Sequence, residues 1–92
     1  MSGVILYYSS VSSNLEIKKH QQRIELILDG KKIPYTKVDI SADESAKQKM
    51  RQIANNPSVL PPILANGEQL CGGYDDFDYA VESEALNEFL KI

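Results

Sequence analysis

Short apolar runs alternate with amphipathic segments along the chain, and the first of them predict a strand followed by a helix. Val4–Tyr8 is a nearly continuous apolar run rich in β-forming residues, as expected of a strand covered on both faces. Ser13 and Glu16 then have the spacing of a capping box, which marks a helix start. The core-facing positions of this helix recur at helical spacing until Gly30, where it should end. They are Ile17, His20, Ile24, Ile27 and Leu28.

The middle of the chain predicts a second strand and a second helix. Residues 33–40 form the strand, with Pro34 near its start as an edge or entry residue. Ser41 and Glu44 repeat the capping-box spacing, and the helix that they open should end at the Asn-Asn-Pro of residues 55–57. Strand, helix and strand over this distance form a βαβ unit, whose crossover should be right-handed.

A hairpin and a glycine pair follow. Residues 63–65 and 68–71 are short apolar runs that flank Asn66-Gly67, a dipeptide that favours the two positive φ angles of a type I′ turn. Gly72-Gly73 then leads into a helix that opens at residues 74–77. Backbone N–H groups at such a helix N-terminus can bind an anion, so this turn is a candidate anion site.

The resulting order, βαβαββα, predicts a thioredoxin-like fold in one domain of residues 1–92. Leu86, Phe89 and Leu90 add a last apolar helical turn. Helices should cover both faces of a four-stranded mixed sheet, which gives three layers, α/β/α. Ninety-two residues leave no room for a second core.

Composition and charge narrow the function classes. The chain has 10 basic and 13 acidic residues, a net charge of −3 and no basic cluster, which disfavours nucleic-acid binding. No apolar run has spanning length and no signal pattern opens the chain, so we expect no membrane association. One cysteine cannot form an internal disulfide, which fits a reducing compartment. We expect a soluble monomer in the cytoplasm, with the nucleus as a second location.

Several short motifs, in this order, resemble one family. They are Val4-Ile5-Leu6-Tyr7, Ile27-Leu28-Asp29-Gly30-Lys31, Val38-Asp39-Ile40-Ser41, Asn56-Pro57, Pro61-Pro62, Asn66-Gly67, Cys71-Gly72-Gly73-Tyr74 and Glu88-Phe89-Leu90-Lys91. The chain is similar to glutaredoxins over essentially its whole length. It most resembles the small glutaredoxin-like family of SH3-domain-binding glutamic-acid-rich-like proteins.

The resemblance implies that the reacting half of a redox site is missing. Redox-active members carry a C-x-x-C or single-cysteine motif between the first strand and the first helix, where this chain has Val11, Ser12, Ser13 and Asn14. A serine hydroxyl stays protonated near neutral pH and cannot form a mixed disulfide. We therefore predict no catalytic residue and no enzyme activity. The alternative is a weak glutathione-dependent oxidoreductase or redox sensor that uses Cys71, although burial in a strand would raise the pKa of that thiol.

The resemblance also implies that the residues that bind glutathione without reacting with it are present. Its residues are Pro61, Pro62, Gly73, Tyr74, Asp75 and Asp76, with Pro62 as the cis-proline. Pro61 has no N–H, so the usual two-bond pairing with a peptide loses one bond, worth about 0.5–1.5 kcal/mol. We expect weak glutathione binding at most, and no other cofactor. The alternative is that these residues only shape the scaffold, with the two aspartates complementing a helix dipole.

Metal ligation and proline recognition are both disfavoured. His20 has no Cys, Asp or Glu companion at metal-ligand spacing, so we interpret it as a residue at the core boundary. The prolines have no P-x-x-P spacing, and the P-P-x-x-F motif of relatives is broken by Ala65.

Three functions remain open. The first is a non-catalytic binding protein that modulates glutaredoxin-type redox pathways, or an actin- or signalling-related partner. The second is the oxidoreductase that uses Cys71. The third is a protein-interaction scaffold that binds no ligand in the groove and uses its acidic surface.

Overall fold

A computed structural model describes residues 3–11 and 14–92, and its elements follow the predicted order. The strands are β1 (Val4–Tyr8), β2 (Thr36–Asp39), β3 (Ile63–Asn66) and β4 (Gln69–Gly73). The helices are α1 (Leu15–Gly30), α2 (Glu44–Ala54), α3 (Tyr74–Glu82) and α4 (Leu86–Leu90), the last being the predicted extra turn. No helix in this described part of the chain is long and apolar enough to cross a bilayer.

The four strands form one mixed sheet in the order β2-β1-β3-β4. β1 runs parallel to β2, whereas β3 runs antiparallel to both β1 and β4. Side chains alternate along β1, so Leu6 and Tyr7 belong to different core clusters. Leu6 packs with residues of α1, α3 and α4, such as Phe77, while Tyr7 packs with Met50 of α2. The predicted three-layer, thioredoxin-like architecture is confirmed.

Three strand ends meet at one edge of this sheet. Tyr7, near the end of β1, lies opposite Ile63 at the start of β3. Ile63 in turn lies opposite Gly73 at the end of β4. The loop that follows β1, the prolines that precede β3 and the N-terminus of α3 are therefore neighbours at this edge.

The hairpin of β3 and β4 is present, but its turn lies one residue further along than predicted. Asn66 belongs to β3 and pairs with Gln69, which leaves Gly67 and Glu68 as the turn. Of these two, only Gly67 has a positive φ, at 62°, so the turn is of type II′ and the type I′ prediction was wrong. The Asn66 amide donates to backbone carbonyls at the end of α4, at 2.9 and 3.1 Å, which keeps it in the strand.

Neither predicted serine is observed as a helix cap. At α1, the Asn14 side chain accepts hydrogen bonds from two first-turn N–H groups at 2.9 and 3.2 Å. At α2, Asp43 does the same at 2.9 and 3.3 Å. Ser41 instead donates its hydroxyl to Asp39, and Ser13 lies outside the described residues. Asn and Asp cap helices as well as serine does, so residue preference alone could not separate adjacent candidates.

The second strand is shorter than predicted, because its first residues are used differently. Ile33 donates its N–H to the carbonyl of Leu28 at 2.9 Å and so completes the end of α1. Pro34 has no N–H to offer to a ladder. Pairing with β1 therefore starts only at Thr36.

Candidate functional site

A groove of about 350 Å³ lies at this sheet edge and is lined by all the residues predicted for a glutathione-like site. One wall is formed by the segment that contains Leu60 and the two prolines, and the other by the end of β4 and the start of α3. The predicted residues in it are Pro61, Pro62, Gly73, Tyr74, Asp75 and Asp76. We refer to this groove as the proline groove.

The backbone of the proline groove is shaped by its prolines and glycines. The Pro61–Pro62 bond is cis, as predicted, and Pro62 is buried. A Cβ on Gly73 would lie 3.8 Å from the Pro62 carbonyl oxygen, in ordinary contact. Since Pro61 has no N–H, its backbone can offer only a carbonyl oxygen to a peptide lying in the groove.

Gly72 allows α3 to begin directly against the groove. Its φ is 151°, a conformation that other residues rarely adopt. A Cβ at this position would lie 2.8 Å from the Cβ of Asp76 and 3.0 Å from the ring of Phe89. Only glycine fits here without displacing one of these neighbours.

The α3 end of the proline groove is negatively charged. Asp75 and Asp76 both lie in the first turn of α3, and both line the groove. The N–H of Gly73 donates to Oδ2 of Asp76 at 3.4 Å, so the carboxylate occupies a position that the sequence offered to an anion. Two carboxylates repel a further anion, and we expect a positively charged group at this end instead.

A stacked pair of rings joins α1 to the groove. The rings of His20 and Tyr74 lie parallel within 2°, with centroids 3.7 Å apart, and both residues line the groove. Nε2 of His20 is also 3.7 Å from Oε1 of Glu16, one helical turn earlier, so the expectation that no acidic residue stands at ligand spacing from His20 was wrong. His20 is 26% exposed, which confirms its place at the core boundary. Among residues 3–11 and 14–92, no three His, Cys, Asp or Glu residues cluster as metal ligands.

The loop after β1 is fixed by a buried glutamine that sequence analysis missed. The N–H of Ser9 donates to Gln21 Oε1 at 2.9 Å, and Gln21 Nε2 donates to the carbonyl of Ser9 at 3.1 Å. Gln21 is only 6% exposed, although it lies on α1 among polar neighbours. Its side chain thus continues the backbone pairing of β1 beyond the end of the strand.

A carboxylate holds the same loop from the other side. Asp39, at the end of β2, accepts hydrogen bonds from the N–H and hydroxyl of Ser10 and from those of Ser41. These bonds, first from the Ser10 hydroxyl and then from Ser41, hold the pKa of Asp39 well below its usual range. Asp39 was also missed as a site-shaping residue, because its partners are distant in sequence.

The predicted vestigial loop, residues 11–14, is only partly described. The side chain of Val11 is 80% exposed. Asn14 caps α1. Ser12 and Ser13 lie outside the described residues, so their predicted position in the site stays a prediction.

Cys71 packs into the core beside the groove. It lies in β4, half-buried against the cluster of α1, α3 and α4. Its neighbours Leu70 and Gly72 line the proline groove, whereas Cys71 does not. Burial raises the pKa of the Cys71 thiol, with a smaller opposing effect from Lys91. A thiol with a raised pKa is largely protonated at neutral pH and is a poor nucleophile.

Comparison of the sequence with protein families gives one assignment. The profile of the family described as "SH3-binding, glutamic acid-rich protein" matches residues 2–92. The chain belongs to this family. A Drosophila melanogaster protein named "SH3 domain-binding glutamic acid-rich protein homolog" is 40% identical to it over an alignment of 101 positions that covers 95% of this chain. The match covers 63% of that relative's length.

Solved structures confirm the glutaredoxin type of the fold. The Candida albicans actin interacting protein Aip5 superposes with a TM-score of 0.80 at 24% identity, over 97% of this chain and 88% of that one. Buckwheat glutaredoxin, solved as a complex with glutathione, superposes with a TM-score of 0.71 at 13% identity, over 98% and 77% of the two chains. At these identities the likeness concerns the fold.

Proposed function

We propose that this family member is a non-catalytic binding protein. In this proposal the proline groove holds an extended peptide segment, and the protein modulates redox or signalling pathways by binding rather than by thiol chemistry. The expected partner is a protein, with glutathione as a small, weakly bound ligand of the same groove. The cytoplasmic location and the monomeric state remain predictions.

The position of the single thiol carries the proposal. Residues 11–14 supply hydroxyl and amide groups but no cysteine. Cys71 does not line the groove, and burial raises the pKa of its thiol. A ligand in the proline groove would therefore meet no thiol among the described residues that line it.

The groove itself offers three features that suit an extended peptide. The Pro61 carbonyl can accept a backbone N–H, and the exposed apolar side chain of Leu60 can cover a side chain of the peptide. Asp75 and Asp76 can attract an amino group. Only one main-chain bond is available at Pro61 instead of two, so binding should be weaker by about 0.5–1.5 kcal/mol than at a residue with an N–H.

A coupled turnover assay tests the absence of catalysis. The protein is incubated with a small disulfide, glutathione, glutathione reductase and NADPH, and NADPH consumption is followed. We expect the background rate for both the wild type and Cys71→Ser. Turnover above background that disappears in Cys71→Ser would contradict the proposal and support the oxidoreductase alternative.

Filamentous actin is one protein partner to test, since the similar Candida protein is named for an interaction with actin. Cosedimentation of the chain with actin filaments, compared with a Tyr74→Ala variant in which the groove wall is altered, separates groove binding from binding elsewhere. Equal cosedimentation of both proteins would favour the scaffold alternative, in which the groove plays no part.

A further inference from the structure

A serine followed by two acidic residues lies in the exposed turn between β2 and α2. Asp43 and Glu44 stand two and three positions after Ser41. All three residues are exposed, and Ser41 belongs to neither the strand nor the helix. Among the serines of residues 3–11 and 14–92, only Ser41 has carboxylates at both of these positions.

The hydroxyl of Ser41 is part of the cluster that fixes the loop after β1. It donates to Oδ1 of Asp39 at 2.6 Å and lies 3.2 Å from the hydroxyl of Ser10. The N–H of Ser10 donates to the same carboxylate oxygen at 3.2 Å. A chemical change at the Ser41 hydroxyl therefore acts on the carboxylate that links β2 to this loop.

The two carboxylates after Ser41 are placed so that a basic partner can bind them. The side chain of Asp43 is fixed by capping α2, where it accepts two N–H groups at 2.9 and 3.3 Å. No ion pair within residues 3–11 and 14–92 involves Glu44. A kinase with a basic substrate pocket could bind these carboxylates while the hydroxyl meets the γ-phosphate of ATP. A turn can move into such a site at a lower cost than a serine held in a helix, such as Ser45.

We propose that Ser41 is a phosphorylation site for an acidophilic Ser/Thr protein kinase, and that the phosphate releases the loop after β1 from Asp39. In the transfer, Oγ of Ser41 attacks the γ-phosphorus of ATP, the bond to the ADP oxygen breaks, and the hydroxyl proton passes to the catalytic base of the kinase. Phosphoserine cannot donate the bond to Asp39, and it places about −1.5 to −2 charges beside that carboxylate. Its oxygens are strong acceptors that compete for the donors of Ser10. This inference does not depend on a ligand in the proline groove.

Treatment of the folded full chain with casein kinase II, ATP and Mg²⁺ tests the site. We expect one phosphoryl group in the intact mass, located at Ser41 by fragmentation, and none in Ser41→Ala. Glu44→Gln should slow the transfer about tenfold, because one charge-assisted contact with the kinase is lost. Glu82→Gln removes the same charge from an exposed position of α3 and should be phosphorylated as the wild type is. No incorporation, incorporation at other residues only, or equal rates for Glu44→Gln and Glu82→Gln would overturn the proposal.

Exchange of amide protons with water tests the release of the loop. In the phosphorylated, ¹⁵N-labelled chain the Ser10 amide should exchange about 2–10-fold faster, the factor expected for one lost hydrogen bond. The Ser9 amide is the internal control, because it donates to Gln21 rather than to Asp39, and it should keep its rate. Unchanged exchange at Ser10 after phosphorylation, or equal acceleration at Ser9 and Ser10, would overturn the proposal.

Discussion

The proline groove and the loop after β1 lie at the same edge of the sheet, but they are fixed in different ways. The proline groove is shaped by backbone: a cis proline, two glycines and a helix start packed against them. The loop is held by side chains, with Gln21 bonded to Ser9 and Asp39 bonded to Ser10. Ser9 and Ser10 therefore have a defined place at this edge, and residues 9–14 include no cysteine.

Under the proposed function, this difference means that binding a ligand and reacting with it are separable in this fold. The groove requires particular backbone conformations, which no nearby nucleophile is needed to maintain. The loop requires polar side chains that satisfy its backbone, and Gln21 and Asp39 supply them at Ser9 and Ser10. A binding protein with glutaredoxin architecture therefore needs no structural compensation for the missing thiol.

The largest effect on stability should come from a change in the proline groove, whose shape is set by the backbone. Gly72→Ala places a Cβ within 2.8 Å of Asp76 at a φ of 151°, so we expect a loss of about 2–4 kcal/mol in the free energy of unfolding. Gly30→Ala is the matched control, because no atom lies within 4 Å of its Cβ position. Urea unfolding of both variants measures this. Equal stability of the two would show that the groove tolerates a side chain at Gly72.

A smaller effect should follow from releasing the loop. Gln21→Ala removes both hydrogen bonds to Ser9 and should cost about 1–2 kcal/mol of stability. Gln22→Ala, on the exposed side of α1, should have little effect. Amide shifts of the proline groove should remain close to those of the wild type in both variants. Strong amide shifts of residues 73–76 in Gln21→Ala would show that the loop and the proline groove are coupled, and would contradict their being fixed independently.

The smallest effect concerns Asp39 and depends on pH. Because hydrogen bonds lower its pKa in the folded state, its contribution is present above the ordinary carboxyl pKa of about 4 and is lost as pH falls below it. Asp39→Asn should lower stability at pH 7 by about 1 kcal/mol or less, since the cluster is largely exposed. The difference from wild type should shrink below pH about 4.

Asp43→Asn is the control for this experiment. It removes one carboxylate but keeps an N-cap of α2 of similar strength. Thermal unfolding of the wild type and both variants between pH 7 and pH 2.5 gives the comparison. A difference between Asp39→Asn and wild type that persists unchanged at the acidic end would contradict the assigned role of the ionised carboxylate.

The fold and the proline groove could be predicted because their signals are local. Strand and helix periods, Gly30 and the Asn-Asn-Pro at the end of α2 each act within a few residues. The residues of the proline groove were predicted from the resemblance to glutaredoxins, which rests in part on short motifs around Pro62 and Gly73. Their meeting across β3 and β4 then follows from the hairpin.

The features that were missed all depend on partners distant in sequence. From the sequence alone, Gln21 is an ordinary polar residue of a helix, because its hydrogen-bond partner Ser9 is 12 residues away. His20 and Tyr74 stack only because α1 and α3 cover the same face of the sheet. The hairpin turn moved by one residue because Asn66 bonds to the end of α4. No local pattern encodes these contacts.

The central claim is that the proline groove binds a ligand without reacting with it. Its most direct test is a titration of the ¹⁵N-labelled chain with reduced glutathione up to millimolar concentration. The prolines have no amide signal, so the reporters are Ile63 and residues 73–76. We predict progressive, saturable shifts at these positions with weak affinity, identical in Cys71→Ser. No shift at any of them at millimolar glutathione would contradict the account and leave a scaffold whose groove is empty.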